Sequence, residues 1–231
     1  MLIHQAARNN AELCDIVCRT HGVTGVFAGD AWTSARRAPP LYPDAVTLEP
    51  AVVVPDLLAR IDTRPGCSVK DSFADLDLSA DAFTILFSAE WIHRPAQPAP
   101  PDPAATVDWA PIVDDSGLEA WSAAGAQAGD PTDLFRPALI RHPDIVMLGG
   151  YVEGTLVAGA LVNRSPSVVG LSNVFPNPGE LADAWTGLLA TIGELFPGLP
   201  IVGYESEDSL AAARDHDFSS LGPLRIWIKP D

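Results

Sequence analysis

VVGLSNVFPNPGELADAWTGLLATIGELFPGLPIVGYESEDSLAAARDHDFSSLGPLRIWIK, residues 168–229, is the stretch from which the fold is read. VVGLSNVF has the apolar, β-branched character of a strand. From Gly179 to Phe196 the apolar positions Leu181, Ala184, Trp185, Leu188, Leu189, Ile192, Leu195 and Phe196 recur at helical spacing, and Pro197-Gly198 ends the run. PIVGYE then reads as a buried strand, DSLAAARDHDF as a short helix and LRIWIK as a closing strand. The alternation predicts an α/β fold.

Upstream, TVDWAPIVD predicts a strand and SGLEAWSAAGAQ a helix that Ser116 can cap. DIVMLGGYV and TLVAGALVN, joined by Glu153-Gly154, predict two strands in a tight hairpin. Further back, Pro95 to Pro103 holds five prolines in nine residues, a composition that favours extended polyproline structure over helix or central strand. That segment predicts a boundary, with a first half of residues 1–95, a linker of 96–105 and a second half of 106–231. Within the first half, AVTLEP, PDLLARID, CSVKDS and FTILFSAEWIHRP repeat the strand, helix, strand, closing-strand order in shortened form. Val69 to Phe83 is 14 residues against 16 for Val202 to Phe218, and Phe83 to Trp91 is 8 against 9 for Phe218 to Trp227. Two readings stand: a tandem with a reduced first unit, or one mixed α/β domain with a decorated start.

The order of elements in the second half resembles the acyl-CoA N-acyltransferases of the GNAT superfamily. The resemblance implies a mixed central sheet flanked by helices and transfer of an acetyl or other acyl group from acyl-CoA to an amine; on the tandem reading the amino-terminal half is a reduced relative of the same fold. In that family a loop of Arg or Gln, two residues, Gly, one residue, then Gly or Ala opens the main helix. Amides at the helix start hold phosphate oxygens and the cation adds a charge-assisted bond. Set on this pattern, Gly179 falls where the cation belongs and Ala182 and Ala184 where the small residues belong, with Asn173 and Val174 at the end of the preceding strand. Between Arg164 and Arg214 there is no Lys or Arg, and Glu180 and Asp183 oppose a bound diphosphate. The family's tyrosine, general acid toward the departing thiolate, is replaced by Ala213. Tyr204 and Glu205, at the end of the fifth strand, are the candidate acid and base, although ESED can equally be the solvated, acidic start of the next helix. The competing class is a non-catalytic small-molecule or protein-binding module that keeps the shape without the cofactor.

The chain of 231 residues is 47% hydrophobic, enough for a buried core, and has a formal charge of −16. Residues 1–95 carry 8 basic and 12 acidic side chains, net −4; residues 96–231 carry 6 and 18, net −12. Such a balance argues against nucleic acid and anionic membrane surfaces as partners and favours a cationic small-molecule amine as acceptor. No signal-peptide run opens the sequence and no apolar stretch reaches membrane-spanning length, since Ile145 to Val162 is interrupted by Glu153 and glycines. With three cysteines at no disulfide spacing, a reducing cytoplasm is the expected location. Cys14, Cys18 and His21 share a helical face but lack a fourth zinc ligand, so a packed face is expected and no metal. WTSARRAPPLY is the one basic, aromatic patch, and its Arg36 and Arg37 can bind the phosphates of a cofactor or pair with acidic side chains of the second half. Hydrolase, Walker, zinc-protease and dinucleotide motifs are absent from the sequence, which is silent on oligomeric state.

Overall fold

The computed structural model describes residues 1–97, 107–127, 129, 131–176 and 182–230. In chain order the elements are α1 (Leu2–Thr20), β1 (Val26–Phe27), β2 (Ala31–Thr33), β3 (Ala45–Thr47), α2 (Val54–Leu58), β4 (Ser68–Asp71), a 3-10 turn (Ser79–Asp81), β5 (Thr84–Arg94), β6 (Asp108–Pro111) and α3 (Asp115–Gly125). They continue with α4 (Pro137–Ile140), β7 (Ile145–Val152), β8 (Thr155–Arg164), β9 (Val169–Phe175), α5 (Ala182–Leu195), β10 (Ile201–Glu205), α6 (Glu207–Asp215) and β11 (Ser219–Ile228). Two compact units emerge, Met1–Trp91 with Ser220–Asp231, and Ile92–Ser219. The closing strand β11 counts almost wholly with the first unit, and the last residues of β5 count with the second. The reason is pairing: β11 lies antiparallel to β4, with Trp227 opposite Val69, and a strand belongs where its ladder is.

In the first unit α1 buries Ala7, Ala11, Cys14, Val17 and Cys18 on one face, while Arg8–Glu12 and Arg19–Asp15 pair at i,i+4 on its flanks. Its end is a Schellman turn: Gly22, at φ 72°, donates to the carbonyl of Arg19, and Val23 to that of Cys18. The face of Cys14 and Cys18 is packed core, and burial pushes their thiols up to about 11 and about 12. No metal-binding group of His, Cys, Asp or Glu occurs among the described residues. Strands β1 and β2, which the sequence reading did not separate from loop, form a hairpin beside β3, anchored by the Trp32 indole N–H donating to Asp15 at 3.0 Å.

Strands β3 and β4 run parallel, with α2 as their crossover, in the register Ala45↔Val69 and Val46↔Lys70. Beyond that register the ends are stitched together. The Ser72 amide donates to Thr47 Oγ1 at 2.8 Å, Trp91 donates to the Ser72 carbonyl at 2.8 Å, and Asp71 accepts from the amide of Leu76 at 3.1 Å.

The second unit is an antiparallel meander, β6 to β9, followed by β10 parallel to β9 with α5 as the crossover. Glu153 and Gly154, at φ 50° and 79°, make the two-residue hairpin between β7 and β8 because both must sit in the left-handed region. Helix α3 is capped by Asp114, whose carboxylate accepts from the Gly117 amide at 2.7 Å. Ser116, the expected cap, instead lies inside the first turn and donates its hydroxyl to Asp114. Under α5 the core gathers Leu148, Val162, Leu171, Trp185, Leu188 and Ile192, each worth about 1.5–3 kcal/mol when fully buried. Among the described residues no helix is long and apolar enough to cross a membrane.

Replacing Thr47 by Val keeps the shape but strands the buried amide of Ser72. We expect a loss of about 1–3 kcal/mol in urea unfolding, and an unchanged midpoint would remove the stitch from the account.

Candidate functional site

Strands β9 and β10 pair only at Val169↔Ile201 and Gly170↔Val202, although β9 runs on to Phe175 and β10 to Glu205. The cause lies on the other side of β9. There Ser172 is opposite Leu161 and Phe175 opposite Gly159, so three steps on β9 match two on β8. The extra residue is a bulge at Asn173-Val174, with Asn173 at φ 51°, a conformation asparagine tolerates better than most side chains. A bulge bends its strand. Here it coincides with the end of the β9–β10 ladder and leaves a wedge between the two carboxyl ends.

Gly203 marks the last close approach. A Cβ there would lie 2.8 Å from the carbonyl oxygen of Leu171, which is backbone and cannot swing aside. Tyr204 and Glu205 follow on β10, both half-buried. Glu205 is thus not a solvated member of an acidic helix start: it ends the strand, α6 begins at Glu207, and burial raises its carboxyl to about 7. Asn173 is exposed at the bulge, its amide donating to Ser172 Oγ at 3.1 Å, and Val174 is half-buried beside it. The wedge therefore brings together four of the expected residues: Asn173, Val174, Tyr204 and Glu205. Ala184 is buried in the first turn of α5 and lines a cleft that includes Val174 but not Asn173, Tyr204 or Glu205. Ala182 opens that helix, and Gly179 lies outside the described residues.

Arg36 and Arg37 are used elsewhere, with partners in the first unit. Arg36 donates to the Gly22 carbonyl at 3.1 Å. Arg37 donates to the buried carboxylate of Asp44 at 3.1 Å and to the carbonyls of Asp62, Arg64 and Pro65. Asp44 in turn accepts from the amides of Ala38 and Ser68. Within the protein these contacts tie the loops of the arginines' own unit.

The sequence assigned no site to three aromatic residues that the fold brings together. Trp109 of β6, Phe175 of β9 and Trp185 of α5 line a cleft with Val174, Pro176 and Leu188. Trp109 donates its indole N–H to the Ala184 carbonyl at 3.1 Å, and Trp185 stacks on His216 with ring centroids 5.4 Å apart. Spacing along the chain gives no signal for this, because β6 and α5 meet only through the fold.

No protein-family model matches the sequence, and no curated protein matches it. Solved structures do. A GCN5-related N-acetyltransferase from Kribbella flavida aligns over 98% of this chain and 96% of its own, with a TM-score of 0.66 at 18% identity. Another, from Sphaerobacter thermophilus, aligns over 97% and 92%, with a TM-score of 0.55 at 11% identity. The chain has the GNAT-like mixed α/β fold. The arginines of the second unit are engaged: Arg136 with Asp133, Arg141 with Asp115, Arg164 with Asp144, Arg94 with Gln97 and the His216 carbonyl, and Arg214 in an interaction of its own.

Two outcomes follow from this geometry. Gly203→Val should cost about 1–3 kcal/mol of stability, the range for overpacking against an unyielding neighbour, and an unperturbed unfolding midpoint would contradict the close approach. For Glu205 the folded value near 7 exceeds the ordinary 4.5, so its contribution is complete below pH 4.5 and lost as pH rises through 7. Measured against Glu205→Gln, the wild type should lose roughly 1–3 kcal/mol between pH 5 and pH 8; a pH-independent difference would mean an ordinary, solvated carboxylate.

Proposed function

We propose that this chain is an acyltransferase that moves an acyl group from acyl-CoA to a cationic amine, with chemistry at the carboxyl ends of β9 and β10. The observation that carries the reading is the wedge beside the Asn173 bulge, with Glu205, raised to about 7, on its opposite strand. When bound, the coenzyme supplies a thioester, activated toward attack by an amine.

The residues that would hold the donor are Asn173 and Val174 at the bulge and Ala182 and Ala184 at the opening of α5. Glu205 accepts a proton from the acceptor's ammonium group, directly or through water, and is half ionised near neutral pH, where a general base works best. Tyr204, its neighbour on β10, is the candidate donor of a proton to the departing thiolate. The net −12 of residues 96–231 concentrates cationic acceptors such as polyamines or aminoglycosides. We further read the first unit as a reduced copy of the second, closed where the second opens: Thr47 and Ser72 join the ends of its two parallel strands.

Thermal or chemical unfolding with acetyl-CoA tests the reading. Ligand at 100 times its dissociation constant should add about 2.7 kcal/mol, and no shift at millimolar coenzyme would sink it. In an assay with a polyamine acceptor, Glu205→Gln should retain that shift while lowering kcat by about 10²–10⁴.

A further inference from the structure

Phe175 is the residue after the bulge, and its ring has a seat prepared by three other residues. It stands opposite Gly159 of β8, where a Cβ would overlap both the Phe175 ring and the indole nitrogen of Trp121. The two rings fill the room that the missing side chain leaves. They meet edge to face with centroids 5.0 Å apart, and Trp121 is itself fixed, its N–H donating to the Leu148 carbonyl at 2.9 Å. Gly125, at the end of α3, closes the third side, since a Cβ there would lie 2.7 Å from the Phe175 ring.

Register decides what this seat means for the bulge. Ser172 is opposite Leu161, so an unbroken antiparallel ladder would set Val174 opposite Gly159 and turn Phe175 to the other face of the sheet. One added residue in β9 exchanges the two: the ring enters the seat and Val174 leaves it. A valine in that place would leave the Trp121 ring and both glycines with contacts unmade, and a densely packed interior loses attraction at every such gap. The phenyl ring supplies those contacts. The bulge is the backbone adjustment that lets the ring in, and Asn173 takes φ 51° as a result.

Resting on the acyltransferase reading, we infer that Phe175 is a positioning residue for the reaction: its ring, locked between Gly159, Gly125 and Trp121, sets the bulge at Asn173-Val174 and with it the opening between β9 and β10 in which the donor is placed. It acts through the backbone of β9 and touches no reacting atom.

The test exchanges two side chains. In the double variant Val174→Phe with Phe175→Val, the aromatic ring reaches its seat in regular register, so the packing is kept and the bulge is lost. Urea unfolding should show a cooperatively folded protein, while calorimetry on the same sample shows weaker binding of acetyl-CoA. In an assay with a polyamine acceptor kcat/KM should fall by about 10²-fold, the order of loss for a misplacement of ~1 Å. Phe135→Leu is the control: it removes the other ring packed edge-on against Trp121, at 5.3 Å, and should lower the unfolding midpoint while the dissociation constant stays at its wild-type value. Wild-type affinity in the exchanged variant, or an equal loss of affinity in Phe135→Leu, would overturn this inference and leave the acyltransferase reading standing. A wild-type chain that binds no acetyl-CoA would remove both. Should the exchanged variant not fold, Gly125→Ala carries the test, because its methyl group presses on the Phe175 ring from α3, outside the strand pair. Its affinity for acetyl-CoA should fall, and an unchanged dissociation constant would overturn the inference.

Discussion

The parting of two parallel strands after Gly170 and Val202 is the constraint from which the rest of the second unit follows. Parallel neighbours with a helical crossover would ordinarily stay paired to their ends. Here an extra residue in β9 bends the strand, and Gly203 permits one last backbone approach before the strands diverge. The same divergence leaves Glu205 at a half-buried strand end, where loss of hydration lifts its carboxyl towards neutrality. One backbone irregularity thus accounts for both the opening and a carboxyl raised towards neutrality.

The first unit shows what the same local order does without that irregularity. Its parallel pair β3 and β4 continues past its register through a hydroxyl-to-amide bond, and Asp71 turns the chain by accepting backbone amides. Arg37 and Asp44 organise the neighbouring loops, with the buried carboxylate held by two amides and a guanidinium. That unit is closed by polar groups that satisfy one another, so its arginines serve stability.

Much of the fold was legible along the chain because it is written in local patterns. The helical spacing of Trp185, Leu188, Leu189 and Ile192, the hairpin at Glu153-Gly154 and the strand runs on either side all appear where those patterns place them. The site was legible by position and not by environment. ESED looks like a helix-start charge run, and only three-dimensional burial sets Glu205 apart from it. Asp114 and Ser116 are both good capping residues, and two residues of register decided between them. The destination of β11, the carbonyl partners of Arg37 and the meeting of Trp109 with α5 depend on residues well over twenty positions away. No window of sequence carries that information.

The account's central claim is that the acyl donor sits between the carboxyl ends of β9 and β10. Amide hydrogen exchange with and without acetyl-CoA tests it most directly. Protection should rise in residues 171–175 and 203–205 and leave β3 and β4 unchanged. Protection confined to the first unit, or none in these two segments at saturating coenzyme, would contradict it.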